Sequence, residues 1–362
     1  MRGEAWPRSV CVACEVMYPP LDEGVRIYAS CLARSLSAGR EVLLLSEREG
    51  RIGEIPVHAA LTNRYFRSPA LGRALRSFDP DAIVYVPWTS LTSRTLLRAW
   101  SLRRYSRRSA IGVVALQPRS VDVLTRAASF LDGPDLVLAT GPGAESQARR
   151  LGLPCARVGA GVDTQRFRPA TQAEREELRR RAGLDPSAWM VLHVGHLKPS
   201  RNIGVLAEAA RLPGVACAAV GSSSIPAQDG LVRSLSAAGV TVVTGHQPRI
   251  EDWYRMSDAY LFPVTSALDA IELPLSVLEA AACGLEILAT PFGGLPDLFP
   301  DGSVHWTRSD REVIETVKRL ALREGPPAGG ARRHVEGMIW DRVAAQVAAA
   351  LRACPRVETA RR

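Results

Sequence analysis

Two short stretches hold residues whose types and spacing could do chemistry. In Ile271-Glu272-Leu273-Pro274-Leu275-Ser276-Val277-Leu278-Glu279 the proline presets a helix start, so the N–H groups of Leu275, Ser276 and Val277 would face outward. A helix N-terminus of that kind suits an anion, phosphate best. Glu279 falls on the first turns of the same helix, where a buried carboxylate needs a hydrogen-bond donor such as a sugar hydroxyl. The plainer alternative is that Glu272 only favours the helix dipole and Glu279 is solvated. In Val194-Gly195-His196-Leu197-Lys198-Pro199-Ser200-Arg201-Asn202 a strand runs into a glycine and then into a basic loop. Gly195 would let the backbone approach a ligand, and Arg201 could grip phosphate oxygens with two donors. Together the two stretches make one polyanion cradle. A third element, Tyr18-Pro19-Pro20-Leu21-Asp22-Glu23-Gly24, leaves the first strand and opens a helix at Gly24, whose positive end could meet a diphosphate; alone, a glycine at a helix start is weak evidence.

The elements that must position these residues alternate strand and helix. Strands are expected at Ser9–Val16, Glu41–Ser46, Asp81–Val86, Ala110–Leu116, Asp135–Ala139 and Cys155–Gly159, with helices at Gly24–Ser37 and near Leu91–Arg103 and Val121–Phe130. The polar helix Gln172–Ala182 and the loop Gly183–Ala188 read as a linker. Beyond them strands are expected at Met190–Gly195, Val215–Val220, Val240–Thr244, Ala259–Pro263 and Glu286–Ala289. The tail Ala331–Ala353 reads as helix, with Trp340, Val343, Val347 and Leu351 on one face. The fold class is therefore α/β, two Rossmann-like doubly wound domains facing each other across a cleft: residues 1–170, with the helix 340–353 returning to pack on them, and residues 171–339. Ligands of open parallel sheets bind beyond the carboxyl ends of the strands.

Composition agrees with this division. The 362 residues, 46% of them hydrophobic, suffice for two cores at roughly 150 residues per domain. No apolar run approaches the ~18 residues of a membrane span, so the expected location is the cytoplasm. Seven cysteines, an odd number scattered over a large chain, speak against a disulfide framework; Cys11 and Cys14 read as buried strand residues, not as a redox or metal pair. The 46 basic and 37 acidic residues leave a net charge of +9, and arginines crowd the stretch from Arg64 to Arg119. That face suits an anionic acceptor or a membrane surface, giving an expected peripheral contact at the inner membrane. Between Arg94 and Arg108 it lacks interleaved aromatics apart from Trp100 and Tyr105, which argues against nucleic acid. No third glycine follows Gly159-Ala160-Gly161, and no nucleophile elbow, Walker loop or zinc pattern occurs. A nicotinamide oxidoreductase is disfavoured.

Taken in order, these segments resemble a family 4 glycosyltransferase of the GT-B fold, a retaining group that uses nucleotide sugars. The resemblance covers almost the whole chain: the Pro-Pro-x-x-x-Gly start, Gly161-Val162-Asp163 with Phe167 and Pro169, Gly195 to Arg201, Asp258 to Pro263, Glu279 to Gly284, Gly293-Gly294 and the Trp340 helix. It implies that Arg201 contacts the donor diphosphate and Glu279 the nucleotide ribose, with Leu275, Ser276 and Val277 near the phosphates and sugar. Gly24 would lie by the diphosphate, Gly195 and His196 in the donor loop, and His246 and Gln247 in the base pocket. The sequence departs from the family pattern at three positions. His196 replaces a usual arginine, Ile271 a usual acid for which Glu272 could substitute, and Gln117 a frequent histidine. Glu272, Arg201 and Gln117 are accordingly the candidate catalytic residues. The implied reaction moves a sugar from a nucleoside-diphosphate sugar to an acceptor hydroxyl with no metal or further cofactor; the acceptor could be anionic or lipid-linked. The three departures keep two alternatives open, a non-catalytic sugar-nucleotide-binding scaffold and a GT-B nucleotide-sugar epimerase.

Overall fold

The computed structural model describes residues 6–323 and 329–354. The chain divides into two compact units. The first takes the described residues up to Gly161, the tripeptide Ile271–Leu273 and the chain from Trp340; the second takes Val162–Ala270 and Pro274–Ile339.

The first unit is built on eight strands: β1 (Ser9–Ala13), β2 (Glu41–Ser46), β3 (Gly50–Ile52), β4 (Ile55–Ala59), β5 (Ala82–Tyr85), β6 (Ala110–Ala115), β7 (Leu136–Ala139) and β8 (Cys155–Arg157). Their order is β3-β4-β2-β1-β5-β6-β7-β8, parallel throughout except for the β3–β4 hairpin at the edge. Strand order therefore reverses direction between β1 and β5, the topological switch point of a doubly wound sheet. β1, β5, β6 and β7 are almost wholly buried and read as continuous apolar runs, as expected for a sheet covered on both faces. The helix Trp340–Arg352 belongs to this unit. It buries Val343, Val347 and Leu351, and Trp340 meets Tyr28 edge-on at 5.2 Å. Gly161 is required there, because a Cβ would fall 2.6 Å from the Trp340 ring. The tail is not one helix from Ala331, however. It breaks into Arg332–Val335 and Trp340–Arg352 around Gly337, where the Met338 carbonyl is taken by the Val162 amide at 2.7 Å.

The second unit holds β9 (Trp189–Val194), β10 (Val215–Val220), β11 (Thr241–Val243), β12 (Ala259–Phe262), β13 (Glu286–Ala289) and β14 (His305–Trp306), in the all-parallel order β11-β10-β9-β12-β13-β14. Here the switch point lies between β9 and β12. Asp258 fastens the amino end of this sheet: its carboxylate accepts from Arg175 at 2.9 Å, from Arg179 at 2.6 Å and from the Met190 amide at 2.7 Å, while its carbonyl accepts from Glu286 at 3.0 Å. The helix Gln172–Arg181, polar enough to read as a linker, is thereby an integral part of this unit: two of its arginines are buried against a buried acid.

Candidate functional site

In the second unit the two chemically rich stretches leave neighbouring strands at the switch point. Gly195 directly follows β9 and has φ +151°; a side chain there would run into the Arg201 guanidinium and come within 3.4 Å of His193 Nε2. Glycine is thus demanded by conformation and by space. The chain then makes the short turn Pro199–Arg201, closed by Asn202 in the left-handed region at φ 56°. Arg201 is buried, and its Nε and Nη2 both donate to the main-chain carbonyl of Asp269, at 3.0 and 2.6 Å. Ser200 donates to the Asp269 carboxylate at 3.1 Å. The loop after β9 is in this way clamped to the loop after β12.

That second loop leads to Pro274, which caps the helix Leu275–Ala282 with no side-chain hydrogen bond. The Val277 amide donates to the Pro274 carbonyl at 3.0 Å, so the outward-facing amides of this terminus are those of Leu275 and Ser276; including Val277 among them overcounts by one. One turn further on, the Glu279 carboxylate accepts the Tyr254 hydroxyl at 2.7 Å. Burial pushes the Glu279 carboxyl up to about 7, against the pull of that hydrogen bond.

Beneath these groups lies a column of rings that sequence reasoning missed. His193 stacks on Tyr260 at 6.3 Å and Tyr260 on Tyr254 at 5.9 Å, while Phe167 meets Tyr254 edge-on at 5.5 Å. The Tyr260 hydroxyl donates to the Val194 carbonyl at 3.1 Å. His193 is fully buried. Its Nδ1 pairs with the Leu261 carbonyl at 2.9 Å and its Nε2 has no partner. Desolvation first, and the neighbouring Arg201 charge second, push its pKa down to about 3, so the ring is neutral. The available signal was a histidine interrupting an apolar strand. His246 and Gln247 follow β11, two strands away from β9 at the sheet edge; the Gln247 amide donates to the Gly245 carbonyl at 3.4 Å.

Of the remaining candidates, His196 lies in the second unit beside Gly195, while Glu272, Gln117 and Gly24 lie in the first. Glu272 is 3% exposed, and its two carboxylate oxygens accept the amides of Gly143 and Ala144, each at 2.8 Å, at the start of the helix Pro142–Arg150. Its own amide donates to the Leu116 carbonyl at 2.8 Å. A helix N-terminus is where a carboxylate is most stable, so this side chain caps a helix whose first amides lie 129 and 128 residues away in the chain. Both Gly141 and Gly143 leave room for it. Ile271 packs on Gly24, whose Cβ would lie 3.5 Å from it, at the start of the helix Gly24–Ser37. Gln117 is buried; its amide donates to Ser90 Oγ at 3.2 Å, and its side-chain oxygen accepts from Arg119 at 2.7 Å. Cys11 and Cys14 are buried and unbridged, as all seven cysteines are free.

The architecture is the GT-B fold. Solved structures of that shape superpose on nearly the whole chain: Anabaena HepE in complex with UDP and glucose gives a TM-score of 0.74, with 16% identity over 95% of this chain and 99% of that one. WaaG, a glycosyltransferase involved in lipopolysaccharide biosynthesis, gives 0.67 at 16% identity over 95% and 99%. Residues 174–324, which hold the Gly195 loop, Arg201 and Glu279, match the family described as Glycosyl transferases group 1. Similar chains include the D-inositol 3-phosphate glycosyltransferase of Actinosynnema mirum, 32% identical over 216 residues, 53% of this chain and 50% of that one. The enzyme of the same name from Rhodococcus erythropolis is 29% identical over 208 residues, 52% and 46%. The aligned stretch spans about half the length of these curated relatives. Among the described residues no helix is long and apolar enough to cross a membrane.

Proposed function

We propose that this protein is a retaining glycosyltransferase that moves a sugar from a nucleoside-diphosphate sugar to an acceptor hydroxyl. The observation that carries the reading is the convergence of Gly195, Arg201, the uncapped Leu275–Ala282 terminus and Glu279 at one switch point, inside the segment that matches the glycosyl transferases group 1 family. In this reading the amides of Leu275 and Ser276 and the Arg201 guanidinium stabilise the negative charge that builds on the departing diphosphate. His196, next to Gly195, adds to them. Glu279, held by Tyr254, accepts the ribose hydroxyls, and His246 and Gln247 border the base. No metal is called on, because the cations and helix dipole already face the charge. The acceptor proton passes to the leaving phosphate, and the rate enhancement comes from positioning and preorganised charge.

The reading is supported by the relatives, which carry glycosyltransferase names, and by fold neighbours crystallised with UDP and UDP-glucose. The experiment is a mass-spectrometric screen of nucleoside-diphosphate sugars with mixed acceptors, followed by NMR of the product's anomeric centre. A glycosylated product of unchanged anomeric configuration is expected. Inversion would remove the retaining assignment. Donor conversion without any acceptor, or binding without turnover, would remove the transferase reading itself.

A further inference from the structure

We infer that the outward face of residues 123–131 in the first unit, with Arg64, Arg94 and Arg126 around it, is a docking surface for an anionic lipid bilayer. The helix Val123–Ala128 is oriented the wrong way round for a soluble protein. Asp122 caps it through the Thr125 amide at 2.7 Å, and Thr125 in turn accepts the Ser93 amide at 3.2 Å, so the helix rests on the neighbouring helix Ser93–Tyr105 through a threonine and Ala128. The large apolar side chains of this helix and of the turn that follows it point the other way. Val123 is 83% exposed, Leu124 70%, Phe130 86% and Leu131 36%. An ordinary surface helix buries its apolar stripe and solvates the small and polar residues; this one does the reverse. Half of the large exposed hydrophobic residues among those described fall in these nine positions, and Tyr65 joins them across a hollow of about 590 Å³ that Leu124 and Leu131 also line. A patch of that kind marks a surface that meets something apolar.

The surrounding charge selects the partner. Arg64 and Arg94 line the same hollow, Arg126 is exposed on the helix itself, and Arg67 and Arg104 stack on Trp100 at 5.3 and 5.2 Å on the supporting helix. The acids nearby are already engaged: Asp122 in its cap, and Asp132 at 4.0 Å from Arg103. Apolar tips ringed by arginine match an interface with acyl chains below and anionic headgroups above, and each such arginine strengthens attachment by roughly fivefold. A polyanion without an apolar phase would leave Val123, Leu124 and Phe130 in water.

The test is co-sedimentation of the full chain with vesicles of phosphatidylcholine alone and of phosphatidylcholine mixed with phosphatidylglycerol, at low and high salt. Binding to the mixed vesicles, weakened by salt, is expected. Leu124→Ser/Phe130→Ser should lower that affinity by about a hundredfold, since burying each large apolar side chain is worth roughly tenfold or more. Arg64→Gln/Arg94→Gln should lower it by roughly twentyfold. Both doubles should keep the wild-type melting temperature, because the replaced side chains lie at the surface. The proposal is overturned by absence of sedimentation with either vesicle, or by undiminished binding of the serine double. It is equally overturned by a wild-type dimer that the serine double converts to monomer, which would make the face a contact between copies of this chain.

Discussion

The hydroxyl of Tyr254 donates to the carboxylate of Glu279 across 2.7 Å, joining the helix Ile250–Arg255 to the first turns of the helix Leu275–Ala282. Burial raises the Glu279 pKa to about 7 and this hydrogen bond lowers it, so the pair sets how much carboxylate is available near neutrality. Tyr254→Phe keeps the ring packing and removes the donor. Its Glu279 should titrate higher than in the wild type. Nucleoside-diphosphate affinity at pH 7 should fall by roughly three- to tenfold, the worth of one hydrogen bond, and recover toward higher pH. Calorimetric titration over a pH series checks this; a deficit that does not change with pH would place the lost interaction elsewhere.

The same pair makes a prediction for stability. The folded protein holds a proton on Glu279 up to about 7, whereas the unfolded chain releases it near 4.5. Between those values the folded state binds more protons, so this carboxyl lowers stability progressively as pH rises through the window, and its cost is absent below it. Glu279→Gln should therefore show a flatter fall in unfolding free energy from pH 4.5 to 7 than the wild type. Parallel denaturation curves over that range would contradict the assignment.

Arg201 and Gly195 act as a matched pair, since the glycine makes room for the guanidinium. Arg201→Ala should raise the donor KM and lower kcat, with kcat/KM down roughly tenfold or more from loss of a charge-assisted contact. Arg201→Lys should recover little of this, because an ammonium cannot make the paired donation to the Asp269 carbonyl. Gly195→Ala should resemble Arg201→Ala in donor binding, as a methyl group there displaces the guanidinium. Steady-state kinetics of the three variants, with circular dichroism to verify the fold, decide the matter.

Glu272 satisfies two helix-terminal amides. Glu272→Ala should cost about 1–3 kcal/mol of stability by leaving the Gly143 and Ala144 donors unpaired, and Glu272→Gln less. Nucleoside-diphosphate affinity should persist through Arg201 and Glu279. An unchanged melting temperature in Glu272→Ala would show that the cap contributes nothing.

Asp258→Ala is expected to be the most damaging of these substitutions. It removes the counter-charge of the buried guanidinium groups of Arg175 and Arg179, leaving them only main-chain carbonyls, and unties the first residues of β9, at a cost of about 3–5 kcal/mol in denaturant unfolding.

Local chemistry made much of this molecule legible from its residues alone. The strands Glu41–Ser46, Val215–Val220 and Glu286–Ala289 and the helix Gly24–Ser37 have the ends read from the chain, because apolar runs between turn residues can satisfy their backbone in few other ways. Gly195 and Pro274 announced themselves likewise, since one frees the backbone and the other fixes it by its own covalent structure. The β3–β4 hairpin was not visible: β3 has three residues, too short a period to register, and Pro56 interrupts β4. What only the tertiary structure decided is where the polar groups are satisfied. Arg201 finds a carbonyl 68 residues away, and Glu272 finds amides 128 and 129 residues away. The His193 ring lies buried and neutral, stacked on Tyr260. Residue type dictates that a buried donor or acceptor must be paired, but the partner is whatever the folded chain brings within about 3 Å, and no local spacing encodes that distance.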